Sequence, residues 1–279
     1  MPLPPLTLRE WMLLALFAVL AAAAVLAPAV PAAGFSGSPF AYEAPAGGLP
    51  NVLDVLSSLP MALVGLWGLR WLYGHERNLE DAEDAAPVPQ SVAPPCADPF
   101  DCAWMFFAGL ILTAAGAAFY HLQPDGMRLA ADRAGVALAF AGFVGFVVCE
   151  RVSARAGWPA AWFTLAAGLL AAAVGHRTGN ALPWALVQFG GIVLMLALSL
   201  LPPAGGATVI RLGWVVFVFV LSKLFELLDH AIYEASGHWL SGFGLKHLTA
   251  AVAALIILSG LQALGRRTVR HNPGVALTA

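Results

Sequence analysis

Histidines and carboxylates lie near the ends of several apolar segments of this sequence. These residues are His121, Asp132, Glu226, Asp229, His230 and His247. Histidine nitrogens and carboxylate oxygens are zinc ligands, and a catalytic zinc keeps one coordination position open for water. Zinc lowers the pKa of that water, and a nearby carboxylate can take or return its proton. This set of residue types favours a zinc-dependent hydrolase.

Each of these residues also has a simpler structural interpretation when it is taken alone. A histidine at a helix end, such as His121, is commonly an interfacial polar residue, and Asp132 could pair with the adjacent Arg133. Lys223 and Glu226 are three residues apart and could neutralise each other on one helix face. Ionisable groups within a membrane are costly and usually face an interior cavity or a partner, so their convergence favours a shared polar pocket.

The composition identifies the environment that must position these side chains. The chain has 279 residues, of which 60% are hydrophobic and only 11% are charged, and its mean hydropathy is +0.79. A soluble domain of this length could not bury so much apolar surface. The net charge of -2 offers no basic footprint for nucleic acid. The 3 cysteines are too few for a disulfide scaffold and form no zinc-type CxxC pair.

The apolar residues group into segments of the length that crosses a bilayer. Eight such segments are predicted, at about 10–32, 51–74, 101–121, 127–149, 157–175, 181–202, 208–230 and 242–264. Each is predicted to be a helix, because backbone groups in lipid must be hydrogen-bonded within their own segment. The abundant alanine and glycine residues allow close helix approach. The predicted fold class is therefore all-α, a polytopic membrane helix bundle.

The predicted domain organisation is a seven-helix core preceded by one N-terminal helix. The core covers residues 34–264, and residues 1–33 hold either a transmembrane helix or a cleavable signal peptide, since small residues follow the first segment. The stretch 75–98 is acidic and then proline-rich, so it is predicted to be a flexible loop. Residues 265–279 are predicted to be a cytoplasmic tail.

The distribution of positive charge predicts the orientation in the membrane. With the N-terminus inside, the inner segments carry Arg9, Arg70, Arg77, Arg151, Arg155, Arg266, Arg267 and Arg270. The outer loops carry little beyond Arg128 and Arg177. Both termini are therefore predicted to be cytoplasmic. The polar cluster is predicted at the outer side, which would be the periplasmic side of a bacterial inner membrane.

Three segments resemble motifs of bacterial alkaline-ceramidase-like proteins. The stretch from Gly116 through Tyr120-His121 to Asp132-Arg133 resembles the family's Gly-Ser-x-x-Tyr-His, ten residues, and Asp-Arg. Gly-Leu-Pro-Asn51 is similar to its Gly-Ile-Pro-Asn segment, and Ser-Gly-Phe-Gly-Leu-Lys-His247 is similar to its closing Ser-Gly-His-x-x-Lys-His. These proteins belong to a superfamily of seven-helix membrane hydrolases that includes the progestin and adiponectin receptor-like proteins. Together the matches cover about residues 48–260.

The resemblance implies a site and a substrate. In the family, three histidines hold zinc, an aspartate handles the proton of the attacking water, and a serine supports the reaction. Carried to this chain, the zinc ligands are His121 and His247, and the catalytic carboxylate is Asp132. The implied reaction cleaves the amide bond of a ceramide-like membrane lipid to give a fatty acid and a sphingoid base.

Two positions depart from the family pattern. The third histidine falls at Phe243, and the serine falls at Ala117. Asp132, His230 and His238 are the alternatives for the missing ligand. The departures keep a second hypothesis open, namely a catalytically degenerate receptor-like or lipid-binding protein of the same fold. A third hypothesis, a proton-coupled carrier, would predict inverted repeats or broken helices, and the sequence shows neither.

Overall fold

A computed structural model describes residues 4–31, 51–85, 99–204 and 210–271 of the chain. Throughout these ranges the secondary structure is helical, and no strand is formed within them. The predicted all-α fold class is therefore confirmed.

The described helices follow one another along the chain with short connections. They are α1 (Leu8–Leu26), α2 (Val52–Ser57), α3 (Leu59–Ala85), α4 (Pro99–Leu122), α5 (Gly126–Arg151), α6 (Ala154–Thr178), α7 (Leu182–Ser199), α8 (Leu212–Leu227), α9 (Asp229–Ala235) and α10 (Gly242–His271). Among the described residues, 7 helical stretches are long and apolar enough to cross a membrane. The protein is therefore a multi-pass membrane protein.

Helix α8 differs from the predicted segment 208–230. It ends at Leu227, and α9 begins after a break at Leu228. With 16 residues, it is about 24 Å long at 1.5 Å per residue, which is shorter than the roughly 30 Å hydrocarbon core. Asp229 and His230 therefore lie on a separate short helix and not at the end of α8.

Two helices continue past the apolar segments, and the predicted loop 75–98 is wrong for its first part. Helix α3 runs on to Ala85, so the first part of the predicted loop 75–98 is helical, and residues 86–98 lie outside the described ranges. His75, at the start of that stretch, is buried and stacks on Trp71 with ring centroids 5.2 Å apart. Helix α10 likewise extends to His271, into the predicted tail 265–279. Hydropathy marks where the apolar segment ends, whereas the backbone hydrogen bonds of a helix continue into water.

Glycines bring the backbones of α4 and α5 into direct contact. A Cβ atom on Gly109 would lie 2.2 Å from the Ala139 backbone nitrogen, and one on Gly142 would lie 2.3 Å from that of Phe106. Near the other end of the same interface, a Cβ on Gly116 would lie 2.7 Å from the Asp132 Cα. Small residues at a helix interface allow this close packing in membranes. The contact fixes the end of α4 beside the start of α5.

The N-terminal helix α1 is joined to the bundle at the opposite end from the polar cluster. We call the end where α4 passes to α5 the histidine face, and the end where α5 passes to α6 the arginine face. At the arginine face, the buried Glu10 binds Arg155 at 2.6 Å and accepts a hydrogen bond from Ser153. Further along, Phe17 stacks on Phe163 with centroids 4.6 Å apart. Helix α1 is therefore an integral part of the described bundle.

Candidate functional site

The short helix α2 places polar side chains against the end of α4. Asn51, just before α2, has a φ of 49°, in the left-handed region that asparagine tolerates better than most residues. From this position its Nδ2 donates a hydrogen bond of 3.0 Å to the His121 carbonyl oxygen. Asp54 and Ser58 of the same segment are buried. A polar surface within the bundle is thus tied to the residue predicted as a zinc ligand.

Asp54 links three helices at the histidine face. Its Oδ2 lies 3.8 Å from the His121 Nδ1, and both side chains are only 2% exposed. This separation is longer than a direct hydrogen bond. Its Oδ1 accepts a short hydrogen bond from the Ser241 hydroxyl, which in turn accepts one from the Gly244 backbone nitrogen at 2.8 Å. Asp54 thereby connects α2 and α4 to the beginning of α10.

Ser57 fixes the orientation of the second predicted ligand, His247. The Ser57 Oγ lies 2.8 Å from the His247 Nδ1 and donates to the Asp54 carbonyl oxygen at 2.7 Å. A hydroxyl has one hydrogen, so with that hydrogen given to the carbonyl, Ser57 accepts from His247 Nδ1–H. The Nε2 of His247 then carries the lone pair. Metal-binding histidines are commonly held in this way through their other nitrogen.

The two histidines predicted to bind zinc lie side by side. Their ring centroids are 5.3 Å apart and their planes are inclined at 80°. With zinc–nitrogen bonds of about 2.1 Å at a tetrahedral angle, two imidazole ring centres lie about 5 Å apart. Both side chains are buried. The spacing of His121 and His247 therefore fits two ligands of one metal ion.

Phe243, the position at which the resembled motif has a histidine, lies beside His121. Its ring meets the His121 ring edge-on with centroids 5.5 Å apart, and the Lys246 Nζ lies 4.5 Å from its ring centre. Its backbone nitrogen donates to the buried Asp229 Oδ1 at 3.0 Å, which anchors the first turn of α10. Across the described ranges, no three His, Cys, Asp or Glu side chains are close enough together to hold one metal ion. The pair of histidines thus fits a metal ion without a third protein ligand already in place.

The two other histidines considered as third ligands lie outside the cluster. His230 is exposed on α9. The His238 side chain is 58% exposed and lies 3.3 Å from the Glu234 carboxylate. Within the described part of the chain, neither histidine forms a ring contact or an ion pair with His121 or His247. The start of α9 does pack against α10, since Asp229 binds the Phe243 backbone nitrogen, but the side chain of the next residue, His230, is on the exposed surface.

A cavity of about 220 Å³ opens beside the histidine pair. It lies mainly among α5, α7, α8 and α10. Its polar end is lined by Asp132, Arg133, Lys223, Glu226, Lys246 and His247. The remainder is lined mostly by apolar side chains, including Phe106, Leu110, Phe143 and Ile257. The structure therefore brings the predicted catalytic carboxylate, Asp132, to the same cavity as His247.

A charge network stands at the polar end of this cavity. The Glu226 carboxylate binds Lys223 at 2.6 Å and Lys246 at 3.2 Å. The predicted pairing of Lys223 with Glu226 is present, and Lys246 of α10 joins it. Charges in the interior are tolerated when they are paired and hydrogen-bonded. This network fastens α8 to α10 through Lys246, the residue directly before His247.

Sequence reasoning assigned no role to Asp54 or Ser241, although both contact the histidine cluster. Asp54 stands three residues before Ser57, a spacing that places both on one face of a helix. That face could have been recognised as polar within an apolar segment. Ser241 immediately precedes α10, where a serine is a common helix cap. Its contact with Asp54 depends on tertiary packing and has no signature in the sequence.

Comparisons of the chain with protein-family models, with curated proteins and with solved structures found no match.

Proposed function

We propose that this protein is a membrane-embedded zinc-dependent hydrolase of the alkaline ceramidase type, which cleaves the amide bond of a ceramide-like lipid. The observation that carries the proposal is the side-by-side placement of His121 and His247 beside a largely apolar cavity that Asp132 also lines. An apolar cavity with a few convergent polar groups is the usual form of a small-molecule site.

His121 and His247 are the residues that would hold zinc. Their ring spacing, and the hydrogen bond from His247 Nδ1 to Ser57, support this assignment. When bound, zinc supplies a Lewis acid that polarises a carbonyl group and activates water. The remaining coordination positions would be open to water and to the lipid carbonyl, since Phe243 offers no donor atom.

Asp132 is proposed to move the proton during hydrolysis. Its carboxylate would accept a proton from the attacking water and return it to the departing amide nitrogen. The apolar part of the cavity would hold a hydrocarbon chain of the lipid and exclude other water. Lys246, which lines the polar end, would orient the polar groups of the substrate near His247.

The decisive experiment measures zinc content and lipid hydrolysis on the same purified protein in nanodiscs. The wild type is expected to hold about one zinc per chain and to release fatty acid from a fluorescent ceramide. His121→Ala should lose the zinc. Asp132→Asn should keep the zinc and lose about 100-fold or more of the activity, the usual contribution of a general base.

His176→Ala is the matched control, because His176 is exposed at the end of α6 and lies apart from the cluster. It is expected to keep both zinc and activity. A wild-type protein that neither retains zinc nor hydrolyses ceramide when zinc is added would rule out this function.

A second candidate function is lipid binding without catalysis. It is favoured by Phe243, whose ring contacts His121 and Lys246, and by Ala117, which is buried where the family carries its serine. Removing an oxyanion-stabilising donor typically costs about 3–4 kcal/mol of transition-state stabilisation. Tight binding of ceramide by a zinc-free wild-type protein would support this alternative.

The proposed location is a bacterial inner membrane, with both termini in the cytoplasm and the histidine face toward the periplasm. The arginines of the inner segments support this orientation, and Arg151 and Arg155 lie at the arginine face. Reporter fusions after residue 279 should then be active only as cytoplasmic reporters.

A further inference from the structure

A second cavity, of about 420 Å³, lies among α1, α5, α6 and α7. Of the described residues that line it, none is charged. They include Phe17, Leu20, Ala24, Phe163, Leu170 and Leu186. The one hydroxyl, that of Thr164, donates to the Ala160 carbonyl oxygen of its own helix at 2.8 Å. This cavity therefore offers a guest molecule hydrocarbon contacts and nothing that would hold a polar headgroup.

The wall of the second cavity is open toward the surrounding lipid. Ala21 and Val25 of α1 and Leu170 of α6 line the cavity and are also exposed on the surface of the bundle. In a membrane that surface faces acyl chains, which are as apolar as the lining. A hydrocarbon chain can thus reach the cavity from the bilayer without crossing a polar region.

The two cavities meet at the crossing of α5 and α7. Phe140, Val187 and Gly191 line both of them. The Phe140 ring lies so close to Gly191 that a Cβ atom there would be 2.1 Å from the ring. Gly191 is nine residues from the start of α7, which is about 14 Å below the histidine face at 1.5 Å per residue. Phe140 therefore forms a thin partition between two apolar spaces at mid-membrane depth.

We propose that the second cavity binds the second hydrocarbon chain of a two-chain lipid, so that the chains lie on either side of Phe140 and the polar centre lies beside His247. Among the described lining residues, charged side chains line the first cavity only, which fixes where the headgroup must lie. The identification of that polar centre as an amide rests on the function proposed above. A lipid with one chain would fill the first cavity and leave the second to bulk lipid.

The test compares the binding of two fluorescent lipid amides that share one acyl chain. N-acylsphingosine has two hydrocarbon chains, and N-acylethanolamine has one. Ala24→Phe adds a ring to the second cavity from α1, and Leu170→Trp enlarges the side chain that lines it from α6. Each variant is expected to weaken binding of the two-chain amide at least 10-fold and to change binding of the one-chain amide less than 2-fold.

Ala22→Phe is the control, because Ala22 is exposed on α1 and does not line the cavity. It should leave the affinity for both lipids unchanged, and thermal unfolding of each variant would verify folding. Equal weakening of both lipids, or no change for the two-chain lipid in both cavity variants, would overturn the proposal. Binding is measured without turnover, so a protein that hydrolyses neither lipid yet shows the selective loss would refute the hydrolase function alone.

Discussion

At the scale of single residues, the site depends on which nitrogen of each histidine is available. Ser57 binds the Nδ1 of His247, and Asp54 faces the Nδ1 of His121. Both partners come from α2, so one short helix orients two imidazoles that belong to α4 and α10. A group that hydrogen-bonds the second ring nitrogen of a metal-binding histidine typically contributes 10–100-fold to metal affinity. Ser57 is therefore a positioning residue in the proposed zinc site.

Replacing Ser57 with alanine tests this role. Ser57→Ala should weaken zinc affinity by about 10–100-fold, because His247 loses the acceptor that fixes its tautomer. Competition with a zinc-binding dye would measure the affinity. Ser57→Thr keeps the hydroxyl and should restore most of it. Ser259→Ala, which removes an exposed serine of α10, is expected to have no effect, and an equal loss there would point to general destabilisation of the helix.

In the proposed zinc site, Phe243 stands beside His121 and offers no atom that could bind a metal ion. Phe243→His would place an imidazole beside His121 and complete the three-histidine set of the motif that the sequence resembles. Because catalytic zinc sites usually have three protein ligands, zinc affinity should rise by about 10-fold or more, as measured by isothermal titration. Phe243→Leu is the matched control and should leave the affinity unchanged. An unchanged affinity in the histidine variant would show that this position does not face a metal site.

At the scale of helices, contact between the glycine-rich surfaces of α4 and α5 positions the residues of the candidate site. The α4–α5 interface brings the end of α4, with His121, beside the start of α5, with Asp132, and its glycines leave no room for side chains. Helix α1 is held differently, through the buried carboxylate of Glu10 and its bond to Arg155. Close backbone packing thus positions His121 beside the start of α5. An ion pair instead attaches α1, the helix that borders the second cavity.

The glycine interface leads to a stability prediction. Gly142→Ala places a Cβ atom 2.3 Å from the Phe106 backbone nitrogen, so α4 and α5 must separate. Overpacking of this kind costs about 1–3 kcal/mol, and it should lower the unfolding temperature in detergent. Gly74→Ala is the matched control, since nothing lies within 4 Å of the added atom. A Gly142→Ala protein as stable as the Gly74→Ala protein would contradict the packing.

At the scale of the whole molecule, the bundle encloses two apolar spaces of different character. One ends in a charged cluster beside the histidines, and the other is lined without charge and bordered by α1. Residues of α3, α4, α5, α7, α8 and α10 line the first space, and no described residue of α1 does. Helix α1 provides one wall of the second space, which is the space proposed above to hold a second hydrocarbon chain.

The sequence by itself determined the fold class and indicated residues that could form the candidate site. Its apolar segments predict a helical membrane bundle, because lipid cannot hydrogen-bond backbone N–H and C=O groups that are left unpaired. The predicted topology places His121, Asp132 and His247 at a similar depth, and the family resemblance implies that they share one site. The structure places the two histidines side by side and Asp132 at the adjoining cavity. Tertiary packing alone decided the rest. Asp54 reaches His121 and Ser241 across separate helices, and His230 is exposed although its neighbour Asp229 binds the start of α10. Such contacts depend on how helices pack in three dimensions, which hydropathy along the chain does not encode.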